Sequence, residues 1–155
     1  MRAKQGTAGA LVGVCAALVL LAAVPAKGFA GEMKLEAQLV WGTDDSKPPE
    51  GKDYKPVEAA IQKKIKDLPL KWKNYFEVKR TEFKIAPAAA TKIPISEKCS
   101  LTVQSHNDSV VEVSWIGKGR EVLKRTQSLS KGEILILGGN APNATAYLMV
   151  LRRIE

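Results

Sequence analysis

The chain has 155 residues, 24 Lys and Arg against 16 Asp and Glu, a net charge of +8 at neutral pH, and hydrophobic side chains at 45% of positions. The positive excess is spread along the chain, with no run dense enough to demand nucleic acid or an anionic membrane as partner. One histidine and two cysteines offer no ligand set for zinc and no disulfide framework.

Arg2 and Lys4 precede an uncharged stretch from Gln5 to Ala26 that ends near Pro25, Lys27 and the small-residue site Gly28-Phe29-Ala30. A positive start, an apolar stretch of Val, Leu and Ala, and an A-x-A-like end describe a secretory signal peptide over residues 1–30. Cleavage is expected between Ala30 and Gly31, because Pro25 ends the apolar helix and leaves an extended segment for the peptidase. Cleavage after Ala26 is the second choice. The alternative is an uncleaved single-pass anchor, since the stretch is long enough to span about 30 Å of hydrocarbon. In both cases the body lies outside by the positive-inside rule, and membrane contact runs only through residues 1–30. Cys15 sits inside the apolar stretch rather than at its end, which excludes a lipoprotein site.

Removing the leader takes away Arg2, Lys4 and Lys27 and no acid, leaving 125 residues with a net charge of +5. That length suits one exported domain, residues 31–155, with a single core. Cys99 is then the one remaining thiol, and its alternation with Leu101 and Val103 points it to an apolar face as a buried, inert group.

Met33 to Trp41 alternates, with Leu35, Ala37, Leu39 and Trp41 on one face and Lys34, Glu36 and Gln38 on the other, a half-buried strand. Gly42 to Tyr54 is a polar loop rich in Asp, Lys, Pro and Gly. Pro56 is expected at the first position of a helix. The stripe Val57, Ile61, Ile65 and Leu68 is amphipathic, Lys63, Lys64 and Lys66 face water, and Pro69 stops the helix.

Leu70 to Ile85 is extended, and the apolar parity of Leu70, Trp72, Phe76 and Val78 changes at Phe83 and Ile85. That change suggests a β-bulge or a bend between Lys79 and Glu82. Strands follow at Lys92 to Ser105 and Val111 to Trp115, separated by turn chemistry at Asn107-Asp108. Gly117-Lys118-Gly119 is a tight turn into a polar edge strand, Glu121 to Leu129, whose Lys124 and Arg125 discourage aggregation. Ile134 to Leu137 is apolar throughout and suits a central strand. Gly138 to Thr145 is a loop, and Ala146 to Ile154 is a last strand, apolar on both parities. About seven or eight short strands with one short amphipathic helix make the fold mainly β, an antiparallel β-sandwich or partly open barrel.

No motif specifies catalysis or a cofactor. His106 lies in the turn Ser105-His106-Asn107-Asp108-Ser109, with no G-x-S-x-G serine, and three adjacent turn residues do not converge on one substrate atom. Asp44, Asp45, Glu50 and Asp53 share a loop but lack the alternating spacing of a Ca²⁺ loop. Gly138-Gly139-Asn140 lacks the helix and Lys-Ser/Thr of a phosphate loop, and Asn143-Ala144-Thr145 is a glycosylation sequon. The aromatics Trp41, Trp72, Tyr75 and Trp115 are the candidate binding group. Trp72 and Tyr75, flanked by Lys71 and Lys73, would stack and pair with an acidic sugar if exposed; the parity of Trp41 and Trp115 points them to the core.

These residues lead to a noncatalytic exported β domain, periplasmic or secreted, that binds or assembles with another macromolecule at the cell envelope, an envelope protein or acidic polysaccharide. The alternatives are a carbohydrate-binding module using the aromatics and a small hydrolase using His106. No metal, cofactor or nucleic acid is expected.

Overall fold

The computed structural model describes residues 31–138 and 145–155; the leader with Ala30, Cys15, Gly139, Asn140 and Asn143 lie outside them. In chain order the elements are β1 (Met33–Thr43), β2 (Lys55–Pro56), α1 (Ala59–Lys66), β3 (Asn74–Ile85), β4 (Ala90–Ser96), β5 (Cys99–Ser105), β6 (Val110–Gly117), β7 (Arg120–Ser128), β8 (Ile134–Leu137) and β9 (Thr145–Arg153). Two antiparallel sheets, ordered β2-β3-β1-β9-β8 and β4-β5-β6-β7, face one another as a sandwich that does not close into a barrel.

The inter-sheet core follows from the alternation. Leu35, Ala37 and Leu39 of β1, Met149 and Leu151 of β9, Leu101 and Val103 of β5, and Val111 and Val113 of β6 are all buried in one cluster. Each large aliphatic side chain placed there stabilises the fold by about 1.5–3 kcal/mol. Two-residue turns connect β4 to β5 and β6 to β7, and a four-residue turn connects β5 to β6. At Lys118-Gly119 both residues have positive φ, 50° and 77°, the primed turn that matches strand twist. Asn107 closes the turn before β6 by accepting from the backbone N–H groups of Ser109 and Val110.

The first sheet departs from a half-buried design. Glu36, Gln38 and Val40 of β1 are as buried as their odd-numbered neighbours, because helix α1 and the side chains around it cover the second face. A second cluster of Val40, Val57, Ile61, Ile65, Leu148 and Val150 lies there. The same two-sided burial explains β8. Its apolar run suggested a central strand, yet β8 is the sheet's edge. Leu135 and Leu137 enter the inter-sheet core while Ile134 and Ile136 pack beside the helix cluster, so apolarity records two covered faces rather than a central place.

Helix α1 starts later than expected. Pro56 belongs to β2, where a two-residue edge strand tolerates its missing N–H, and Glu58 stands at the N-cap. Ile61 and Ile65 are buried, whereas Leu68 lies past the helix end and is exposed. Leu70 and Trp72 also fall outside β3, so strand parity does not carry them onto one face with Phe76. Leu70 packs on the helix cluster, and Trp72 lines a groove with Ile65 and Tyr75. The bulge in β3 exists, one residue earlier than the parity change suggested: Leu39 pairs with Lys79 and Val40 with Glu77, leaving Val78 as the extra residue. The shift lets Thr81, Phe83 and Ile85 lie opposite Ala37, Leu35 and Met33.

Candidate functional site

Three strand irregularities meet at one end of the sandwich. Besides Val78 in β3, Ile95 is the extra residue of β4 and Val122 that of β7. A bulge bends its strand and raises local twist, and such features gather beside binding sites. A cleft of about 420 Å³ opens between the two sheets here, with Val78 and Val122 both in its lining.

Leu39 and Trp115 are buried at the cleft, and Cys99 stands half-buried beside them. Cys99 is thus less enclosed than its alternation implied, because β5 begins there, at the mouth of the sandwich. The Trp115 indole N–H donates to Cys99 Sγ at 2.8 Å. Burial pushes the thiol above its ordinary pKa, against a smaller downward pull from that N–H, so it stays protonated at neutral pH. Tyr54 and Tyr147 line the side of the first sheet; Tyr54 also meets Trp41 edge-on at 6.2 Å. Val122 and Tyr147 are 61% and 49% exposed, and both belong to this opening. Gly117 makes room for the valine, since a Cβ there would lie 2.8 Å from Val122 Cγ2.

The rim is cationic. Lys98 and Lys118 close the two turns, whose backbones are joined by a 2.8 Å hydrogen bond from Lys118 N to Lys98 O. Neither ammonium is paired with a carboxylate among the described residues, and no acid lines the cleft. Around the outer side of the same turns lies a shallow hollow where Lys92 joins Lys98 and Lys118, with Glu97 as its one acid.

The aromatic group is divided among separate places. Trp41 stacks on Phe76 in the core at 5.8 Å, and Trp115 lies in the cleft. Trp72 is buried, 5% exposed, with Lys71 Nζ over its ring at 5.0 Å. Tyr75 is half-buried across Gly42, whose missing Cβ admits the ring. Lys71 and Lys73 are exposed nearby.

His106 sits on the outer side of the second sheet, its Nε2 3.7 Å from Glu112, which Lys124 holds at 2.8 Å. It lines neither concavity at the sandwich end. Asp44 and Asp45 anchor their loop to the start of β3: Asp44 accepts from Lys73 N, and the Asp45 carbonyl accepts from the Asn74 amide. Among the described residues no group of three or more His, Cys, Asp or Glu is arranged to hold a metal ion.

A second polar constellation went unread in the sequence, because Glu36 and Gln38 fitted the wet face of a half-buried strand, whereas both are buried. Glu36, 3% exposed, accepts from Arg152 at 2.7 Å, from Arg80 at 3.2 Å and from Gln38 at 2.7 Å. Arg152 also reaches Glu58 at 2.9 Å, and Arg80 reaches Glu77 at 2.6 Å and Glu58 at 2.5 Å. The two guanidiniums hold the Glu58 carboxyl below its ordinary pKa. Glu58 is therefore engaged by arginines instead of capping the helix, and it ties the helix start to β3 and β9. All five charges are paired, which marks a fastening rather than a receptor.

No family model matches this chain, and neither the curated proteins nor the solved structures contain a match to it.

Proposed function

We propose that this is a noncatalytic, exported binding domain that engages an anionic component of the cell envelope through the bulged end of its sandwich. The observation that carries the reading is the coincidence there of exposed apolar side chains, Val122 and Tyr147, with Lys98 and Lys118, which have no carboxylate partner among the described residues. Exposed apolar surface costs solubility unless it is used, and unpaired cations beside it attract an anionic partner. Export rests on the leader-like residues 1–30, with the mature chain starting at Gly31. Stacking of sugars on Trp72 and Tyr75 has less support, because the Trp72 ring is buried and covered by Lys71. A hydrolase using His106 has less still, since its neighbour Glu112 is half-buried and already paired with Lys124.

Co-sedimentation with isolated envelopes tests the reading. The wild-type protein is expected to pellet with envelopes at low salt and to be released as salt rises. Changing Lys92→Gln, Lys98→Gln and Lys118→Asn together should abolish pelleting; Asn suits the left-handed φ of Lys118. Equal pelleting of the triple variant, or none by the wild type, overturns it.

A further inference from the structure

We propose that the inter-sheet cleft takes the alkyl chain of a free, single-chain anionic amphiphile, whose headgroup rests between Lys98 and Lys118. The inference rests on the bulged end being the contact end, and it adds to the envelope component a soluble ligand that fills the cleft there. At about 420 Å³ the cleft lies within the range of small-molecule sites, about 300–1,000 Å³, but toward its small end. That is room for one chain rather than for a two-chain lipid.

The lining has the two-part chemistry of such a ligand. Its inner part is Leu39, Val78 and Trp115, with a thiol kept neutral by burial; no carboxylate lines the cleft itself, and Glu97 stands on the outer hollow of the same turns. Its outer part is two lysines on adjacent turns, held together by a backbone hydrogen bond, so the cationic pair is positioned before a ligand arrives. Val122, exposed at the entrance, would lose its contact with water when a chain lies against it.

Cys99 supplies a local reporter. In the full-length protein, iodoacetamide labelling read by mass spectrometry at the Cys99 peptide is expected to slow at least tenfold when dodecanoate saturates the cleft, at concentrations where the amphiphile is monomeric. From octanoate to dodecanoate each added methylene should tighten binding about fourfold, the equivalent of about 0.8 kcal/mol. Lys98→Gln with Lys118→Asn should weaken dodecanoate at least tenfold and leave dodecanol unchanged. Val122→Glu, at a surface position that does not hold the fold, should weaken both ligands. Anionic phospholipid vesicles should not protect Cys99.

Unchanged Cys99 labelling with dodecanoate overturns the proposal, as does dodecanol binding equal to dodecanoate with no effect of the lysine changes. Protection by vesicles alone would overturn the free amphiphile as the source. If dodecanoate fails while the triple lysine variant still loses envelope pelleting, the contact end stands and only the cleft's ligand class falls.

Discussion

The two polar regions of this domain handle charge in opposite ways. On the helix-covered face of the first sheet, Glu36, Glu58, Glu77, Arg80 and Arg152 satisfy one another, and the outcome is a joint between helix, β3 and β9. At the bulged end of the sandwich, Lys98 and Lys118 have no carboxylate partner among the described residues and stand beside exposed Val122 and Tyr147. A charge already matched inside the molecule has little left to offer a partner, whereas an unmatched one over an apolar opening does. Pairing, more than charge itself, separates the part that holds the fold from the part suited to contact.

The largest effect should come where the cleft meets the core. Trp115→Ala removes a buried indole and the Cys99 hydrogen bond, and should cost about 3–5 kcal/mol in urea unfolding. A parent-like midpoint would mean that the cleft wall contributes nothing to the core. Glu36→Gln attacks the paired region, since it leaves two arginines facing a neutral amide, and about 3 kcal/mol of destabilisation is expected in the same measurement. Gly42→Ala is milder. Its Cβ would meet the Tyr75 ring at 3.0 Å, which the ring must yield to at about 1 kcal/mol, read as a small fall in melting temperature.

The pH response of the paired region has a defined sign. Arg152 and Arg80 depress the folded pKa of Glu58, so its contribution is fully present above the ordinary carboxylate value and is lost as pH falls through the folded value. Stability measured from neutral to acidic pH should fall less steeply in Glu58→Gln than in the parent; identical slopes would break the assignment. The smallest effect belongs to the unpaired region. Lys98→Gln with Lys118→Asn should move stability by no more than about 0.5 kcal/mol, because no folded-state partner is lost. A larger loss would place these lysines in the fold's support and weaken the contrast.

Local pattern carried the strand inventory a long way. Alternation marked Leu39, Leu101, Val103, Val111 and Val113 for the core, where they lie, and turn residues at Asn107 and at Lys118-Gly119 ended strands where expected. The parity change in β3 announced a bulge, because side-chain period is fixed by backbone geometry alone. Pattern could not reveal that β1 is covered on both faces, that β8 is an edge, or that Pro56 is a strand residue. Each of those depends on which distant element lies alongside.

The candidate site divides along the same line. Sequence determined the chemistry present: a basic chain, Cys99 as the thiol of the β-rich part, and a leader-like start. Only tertiary structure decided that Val78 and Val122, extra residues of strands in different sheets, would line the same opening as Tyr54, Tyr147, Lys98 and Lys118. It likewise brought Glu36 to arginines 44 and 116 residues away. The physical reason is range. Propensity, periodicity and turn chemistry act over a few residues, whereas burial and charge pairing are set by neighbours that the chain meets only after it has folded.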